Sequence, residues 1–195
     1  MGNQVKHSLL ILSILLLLFS SIFISCSKSS DDVLTSSTGL FVTVGVSGTI
    51  LTSSDGTSWN NRTSGTTESL VGVIYGNSTF VTVGDNGTIL TSSDGSSWDN
   101  RTSGTTTFLF GVTYGNNTFV TVGVSGTILT SSDGISWTSR TSGTTGSLWG
   151  VTYVNGTFVT VGWNGTILTS SDNGTTWTSR TSGTTQHLYG VTYFQ

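Results

Sequence analysis

Short runs of Val, Ile, Thr, Phe and Tyr alternate along the chain with clusters of Gly, Asn, Asp and Ser. Such runs read as strands, and the clusters between them as turns. From Leu109, LFGVTYGN is a strand ending in a turn, and TFVTVGVS from Thr118 is a second strand. GTILTSSDG from Gly126 is a third, closed by Asp133-Gly134, and SWTSRTSGTT from Ser136 is a fourth strand followed by a loop. Asp-Gly between two β-rich runs is a hairpin signal, because turn residues of this kind accept positive φ. The string beginning GTILTSSD occurs four times, from Gly48, Gly87, Gly126 and Gly165, each start 39 residues after the last. A period of about 40 residues with several short strands in each is the pattern of a propeller blade.

The alternation within the first strand of each period supports stacked sheets. Strict period-two spacing places Val73, Val112, Val151 and Val191 with Tyr75, Tyr114, Tyr153 and Tyr193 on one face. It places Leu70, Leu109, Leu148 and Leu188 with Gly72, Gly111, Gly150 and Gly190 on the other. Both faces are then partly apolar, as in a sheet held between two others, and the glycines permit close approach. The array opens at Gly39 with GLFVTVG, the second strand of a period, and reaches LYGVTYFQ, the first strand. The two ends together make up one blade. The expected fold is therefore an all-β propeller of about four blades. Each blade is a four-stranded antiparallel sheet, and the ring is closed by pairing of the N- and C-terminal strands. A ring completed by two chains, or a piece of a longer array, are the alternative arrangements.

Composition narrows the function. No segment after residue 30 has a helical apolar period. Six Trp, nine Phe and five Tyr distinguish the chain from a disordered polar one. Only 8% of residues are charged and the formal charge is -3 without a basic patch, which argues against a nucleic-acid partner. No GxxxxGK[ST] string is present, and no His/Cys/Asp cluster has metal-ligand spacing. No cofactor or metal is expected.

Lys6 and His7 precede an apolar run from Leu9 to Ser25 that has the length of a secretory signal and ends at Cys26, the only cysteine. FISC resembles a bacterial lipoprotein cleavage box, which implies lipidation of Cys26. Residues 1–25 are read as a signal peptide, 26–38 as a flexible tether and 39–195 as the propeller. The resulting expectation is an exported, membrane-anchored lipoprotein, periplasmic or at the cell surface.

SSDNGTTW at Ser170 to Trp177 fits the Asp-box pattern S-x-D-x-G-x-T-W. SSDGTSW at Ser53, SSDGSSW at Ser92 and SSDGISW at Ser131 are one residue shorter. The wider period, with GVTYGNxTFVTVG before GTILTSSDG and a following Trp, resembles the repeats of the photosystem II assembly and stability factor family and of sialidase-like propellers. That resemblance implies that Asp55, Asp94, Asp133 and Asp172 hold their own hairpins rather than calcium. Trp59, Trp98, Trp137 and Trp177 recur at one position and are read as packing between blades.

Sialidases resemble one another in a triad of arginines. Here Arg62, Arg101, Arg140 and Arg180 all follow the Trp at one repeat position, so each is read as spanning a neighbouring blade or, as a ring, recognising an anionic partner. The single mature glutamate, Glu68, leaves few carboxyl groups for glycoside hydrolysis. Eight N-x-[ST] strings mark turns. The copies diverge most at the entry to the first strand and at Val46, Asp85, Val124 and Trp163. Phe108, Phe110, Trp149, Trp163, His187 and Tyr189 thus form a candidate aromatic binding face. The function expected is a non-catalytic binding or assembly scaffold at the cell envelope, facing a protein or glycan partner, as a monomer or a ring-completing dimer. A sialidase-like glycoside hydrolase is the alternative.

Overall fold

The computed structural model describes residues 39–194, all but the last residue of a unit running from Gly39 to Gln195. The expected signal segment, Cys26 and tether lie outside the described residues. Fifteen strands follow in chain order: β1 Phe41–Val44, β2 Ile50–Ser53 and β3 Asn60–Arg62; then β4 Leu70–Gly76, β5 Thr79–Gly84, β6 Ile89–Ser92 and β7 Asp99–Arg101. The third group is β8 Leu109–Gly115, β9 Thr118–Gly123, β10 Ile128–Ser131 and β11 Thr138–Arg140. The fourth is β12 Leu148–Val154, β13 Thr157–Gly162, β14 Ile167–Ser170 and β15 Thr178–Arg180. Each group is one antiparallel sheet of sequential strands, so the protein is an all-β propeller with four blades.

Local chemistry sets the corners. The β8–β9 turn has Asn116 at φ 45° and Asn117 at φ 57°, and Asn155-Gly156 does the same between β12 and β13. Two consecutive positive φ values match the right-handed strand twist, and Asn is among the few residues that accept them. A 3₁₀ turn lies between β1 and β2 in the first sheet, Val46–Gly48, and between the second and third strands of the others, Asp85–Gly87, Val124–Gly126 and Trp163–Gly165. These turns interrupt what the apolar pattern alone presents as nearly continuous strand.

Sheet packs on sheet in sequence order. Val81, Val83 and Ile89 of the second sheet pack with Leu109, Phe119 and Leu129 of the third. Val120, Val122 and Ile128 on the far face of the third pack with Leu148, Phe158 and Leu168 of the fourth. Ile50 of the first meets Leu70 and Leu90 of the second. The buried hydroxyls between them are satisfied: Thr82, Thr121 and Thr160 donate from Oγ1 to the carbonyls of Gly72, Gly111 and Gly150 at 2.8–2.9 Å.

Two expectations are corrected. The innermost strand does not alternate strictly. Leu70 pairs with Gly84 and Gly72 with Val83, so Val71 is an extra residue, a β-bulge. The same shift occurs at Phe110 and Trp149. A bulge reverses the face of everything before it. Leu109 therefore shares a face with Val112 and Tyr114, not with Gly111, and all three meet the second sheet.

The second correction concerns the ring's ends. The first sheet has three strands, and β1 pairs only with β2 among the described residues. Leu188–Phe194 is not in a regular strand and Tyr193 does not pair with Phe41. The segment instead lies against the fourth sheet, beside Gly150 of β12, and Leu188 N–H donates to the carbonyl of Gly162 at the end of β13 at 3.0 Å. Its backbone occupies the place that the next blade takes elsewhere: a Cβ on Gly150 would lie 3.1 Å from Tyr189 O, as one on Gly111 would lie 2.8 Å from Trp149 O.

Candidate functional site

The bulge determines where the variable side chains go. In a regular strand, the residue after buried Leu148 would point to the opposite sheet face. As the unpaired extra residue, Trp149 is instead turned to the rim of its blade. The 3₁₀ turn after β13 brings Trp163 to the same rim, with Asn164 in the left-handed region at φ 52°. His187 and Tyr189 arrive from the C-terminal segment.

Four rings meet there. Tyr189 stacks on Trp149 with centroids 4.8 Å apart. His187 lies 4.4 Å from Trp163 and 5.4 Å from Trp149, and the two tryptophans are 6.3 Å apart. His187 is fixed from behind, since its Nδ1 accepts the Asn164 N–H at 3.2 Å. Trp163 is 51% exposed and Tyr189 70%. This much aromatic surface open to solvent on one rim is the kind that anchors partners. Phe108 and Phe110, the other two residues of the expected face, stack on each other at 4.7 Å and form a separate pair on the third blade.

The repeated polar residues take other positions. Asp133 Oδ1 accepts the N–H groups of Ile135 and Ser136 at 2.8 and 2.9 Å and the Ser131 hydroxyl at 2.9 Å. Asp55 and Asp94 repeat this geometry. In the longer fourth copy, Asp172 accepts from both the N–H and the hydroxyl of Thr176, and the additional Asn173 takes φ 60°. Each carboxylate thus closes its own turn, while positive φ falls on the glycine rather than the Asp. Trp98, Trp137 and Trp177 donate from Nε1 to the glycine carbonyl of that turn at 3.1, 3.0 and 2.9 Å. Their rings pack against the preceding blade. Trp59, just before β3, is 42% exposed.

Hydrogen bonds to the charged form hold these carboxyls down. Asp172 is lowered from 3.8 to about 2, chiefly by the Thr176 hydroxyl. Asp133 is lowered by the Ser136 and Ile135 amides, Asp55 by the Ser58 and Thr57 amides, and Asp94 by the Ser96 hydroxyl and amide; the last two lie below the usual carboxylate range. A carboxyl with a depressed folded pKa contributes stability that is present above its unfolded value and lost as pH falls through the folded one. The denaturation midpoint in urea is therefore expected to be level above pH 4 and to decline from about 3.8 through 2. A midpoint unchanged at pH 2.5 would show that these turns do not depend on the ionised Asp.

The four arginines each donate from Nε to a threonine of the adjacent strand: Arg62 to Thr52, Arg101 to Thr91, Arg140 to Thr130 and Arg180 to Thr169, all at 2.8 Å. They do not converge. Each lines its own open cleft with the Ser-Gly-Thr loop that follows it, as Arg62 does with Ser64, Gly65 and Thr66. Arg101 also pairs with exposed Asp99 at 3.0 Å.

These features define a propeller whose blades are self-contained and whose most distinctive surface is an aromatic rim. No protein-family model matches the chain, and no curated protein matches it. Solved structures do. The chain is similar to YCF48 bound to a D1 peptide, with TM-score 0.59 and 20% identity over 76% of this chain and 52% of that one. It is similar also to YCF48 from Cyanidioschyzon merolae, with TM-score 0.60 and 21% identity over 79% and 56%. The chain thus spans about half the length of the solved structures it matches. The likeness is one of fold, and it agrees with the resemblance of the repeat to photosystem II assembly factors.

Proposed function

We propose that the protein is a non-catalytic scaffold that binds a protein partner on the rim formed by Trp149, Trp163, His187 and Tyr189. The observation that carries this reading is the convergence of four rings from two blades' worth of sequence onto one exposed patch. Aromatic clusters of this kind provide large contact area at low entropic cost. The solved YCF48 with a D1 peptide bound supports a peptide-like partner by analogy of fold. The arginines support a binding role over hydrolysis, since each is committed to its own blade. Attachment to a membrane through Cys26 would place this rim at the cell envelope.

Trp149→Ala and Tyr189→Ala test the reading. Each retains the buried Leu148 and the β12–β13 ladder, and each is expected to weaken capture of an envelope-derived peptide library by about thirtyfold, the size of a hot-spot truncation. Arg140→Gln, whose side chain bonds Thr130 of its own blade and touches none of the four rings, is expected to leave binding unchanged. Equal binding by all variants would reject the rim. Loss of binding to a glycan array instead would assign the rim to sugar rings.

A further inference from the structure

The aromatic rim contains one hydrogen bond that a proton can break. His187 is the one histidine among the described residues, and its Nδ1 accepts the Asn164 N–H at 3.2 Å. A ring nitrogen accepts only when it carries no hydrogen, so this is the neutral imidazole with its proton on Nε2. The ring lies 4.4 Å from that of Trp163, 5.4 Å from Trp149 and 6.3 Å, edge-on, from Tyr189. The groups that face it are therefore Trp149 of β12, Trp163 and Asn164 of the 3₁₀ turn, and Tyr189 of its own segment. No Asp, Glu, Lys or Arg is among them, and the Tyr189 phenol is the one other titratable group.

The other turns show what the bond does. In the second sheet the equivalent amide, that of Asn86, donates to Asp85 Oδ1 at 2.7 Å, a carboxylate within its own turn. In the fourth sheet Trp163 stands in place of that carboxylate, and the acceptor comes from a residue 23 positions further along the chain. Ser47 and Ser125 hold the same place in the first and third turns and find no side-chain acceptor among the described residues. Their backbones nevertheless match, with φ of 53° and 56° against 52° for Asn164. The turn thus forms without an acceptor. What the His187 bond fixes is the imidazole itself, and with it the placement of the ring between the two tryptophans. The neighbouring bond, Leu188 N–H to the Gly162 carbonyl at 3.0 Å, holds only backbone.

The geometry points to His187 as a proton-operated latch on the rim, an inference that rests on the rim being the binding surface. Protonation places an N–H on Nδ1 opposite the Asn164 N–H. Two donors then face each other, the bond is lost and the ring turns from the amide. His187 is exposed, so the proton arrives without unfolding. The tryptophan faces attract the imidazolium, which keeps the new charge on the rim instead of releasing it to solvent. A partner seated on Trp149 and Trp163 must then cover an unpaired cation, at a cost in affinity. The rim is in its binding form while His187 is neutral. The Asp turns take no part in this change, because their hydrogen bonds hold all four carboxyls below their ordinary value and ionised.

Nuclear magnetic resonance of the whole isotope-labelled chain tests the latch without a ligand, at about pH 8 and about pH 5, the span over which an imidazole charges. Capture of the envelope-derived peptide library is measured at the same two values. His187→Gln serves as the uncharged comparison, since its amide oxygen can still accept the Asn164 N–H. The expected result at the higher pH is a His187 ring protonated at Nε2 alone. At the lower pH the Asn164 amide resonance shifts as the ring charges, and capture weakens by about tenfold. Capture by His187→Gln is expected to be equal at both. A charged His187 with an unmoved Asn164 resonance would overturn the latch. So would equal capture by the native chain at both values, or a pH dependence that persists in His187→Gln. Capture at neither value would reject the rim as the binding surface, and the Asn164 resonance would still decide whether the bond is proton-operated.

Discussion

Phe119→Ala lowers the free energy of unfolding by about 3–5 kcal/mol, as measured by urea denaturation at neutral pH. Phe119 lies on β9 with no exposed surface, between the second and third sheets. Its ring is 4.5 Å from that of Tyr114 and 6.5 Å from that of Trp137. Truncation leaves a void bounded by Val81, Val83 and Ile89 of one blade and Leu109 and Leu129 of the next. Neither sheet can move in to fill it, because each is also clamped on its other face. The cost is thus expected at the upper part of the range. A loss below about 1 kcal/mol would mean that the blade junction is not where the fold draws its stability.

Gly111→Val is the second large effect, by overcrowding rather than by loss. A Cβ at Gly111 would stand 2.8 Å from the Trp149 carbonyl oxygen, with Val122 Cγ2 and Val151 Cγ1 each at 3.4 Å. The first of these atoms is backbone of the neighbouring blade, and it cannot rotate away. Seating a valine requires the third and fourth sheets to separate along their innermost strands. The expected loss is about 3 kcal/mol in the same denaturation experiment. Gly143→Ala serves as a contrast. No atom lies within 4 Å of its added Cβ, and its φ of 77° leaves only a backbone cost, about 1 kcal/mol. Equal effects for the two would show that close approach of blades is not what the first-strand glycine provides.

Much of this architecture is visible in the repeat itself. The 39-residue period, the Asn and Gly at corners and the Val-Thr-Val runs together specify four small antiparallel sheets, because each feature acts locally. The Asp of each turn was also readable, since its partners are its own neighbours in sequence. What strict alternation missed was the bulge at Val71, Phe110 and Trp149. A single unpaired residue leaves no compositional mark when the sequence around it, Leu-x-Gly-Val, fits either parity. A clue was present: the position tolerates Val, Phe, Trp and Tyr in turn, more than a residue inside a packed face would. The aromatic rim was only half legible for a similar reason. The sequence shows that Trp149, Trp163, His187 and Tyr189 recur at variable points, but the choice of Trp163 and His187 as neighbours depends on adjacent blades meeting. Phe108 and Phe110 occupy equivalent points and stay apart from the others, because Val124 stands on their blade where Trp163 stands on the next.

The extra residue in each innermost strand separates two demands that usually compete. Leu148 before it and Val151 after it answer to the interior, while Trp149 answers to nothing in the ladder. Substitution there leaves the strand pairing and the interior untouched, so one blade can change what it touches without renegotiating how it stands. A molecule assembled from copies of this unit carries a row of exchangeable fingertips, and a new partner could be recruited by altering three or four side chains.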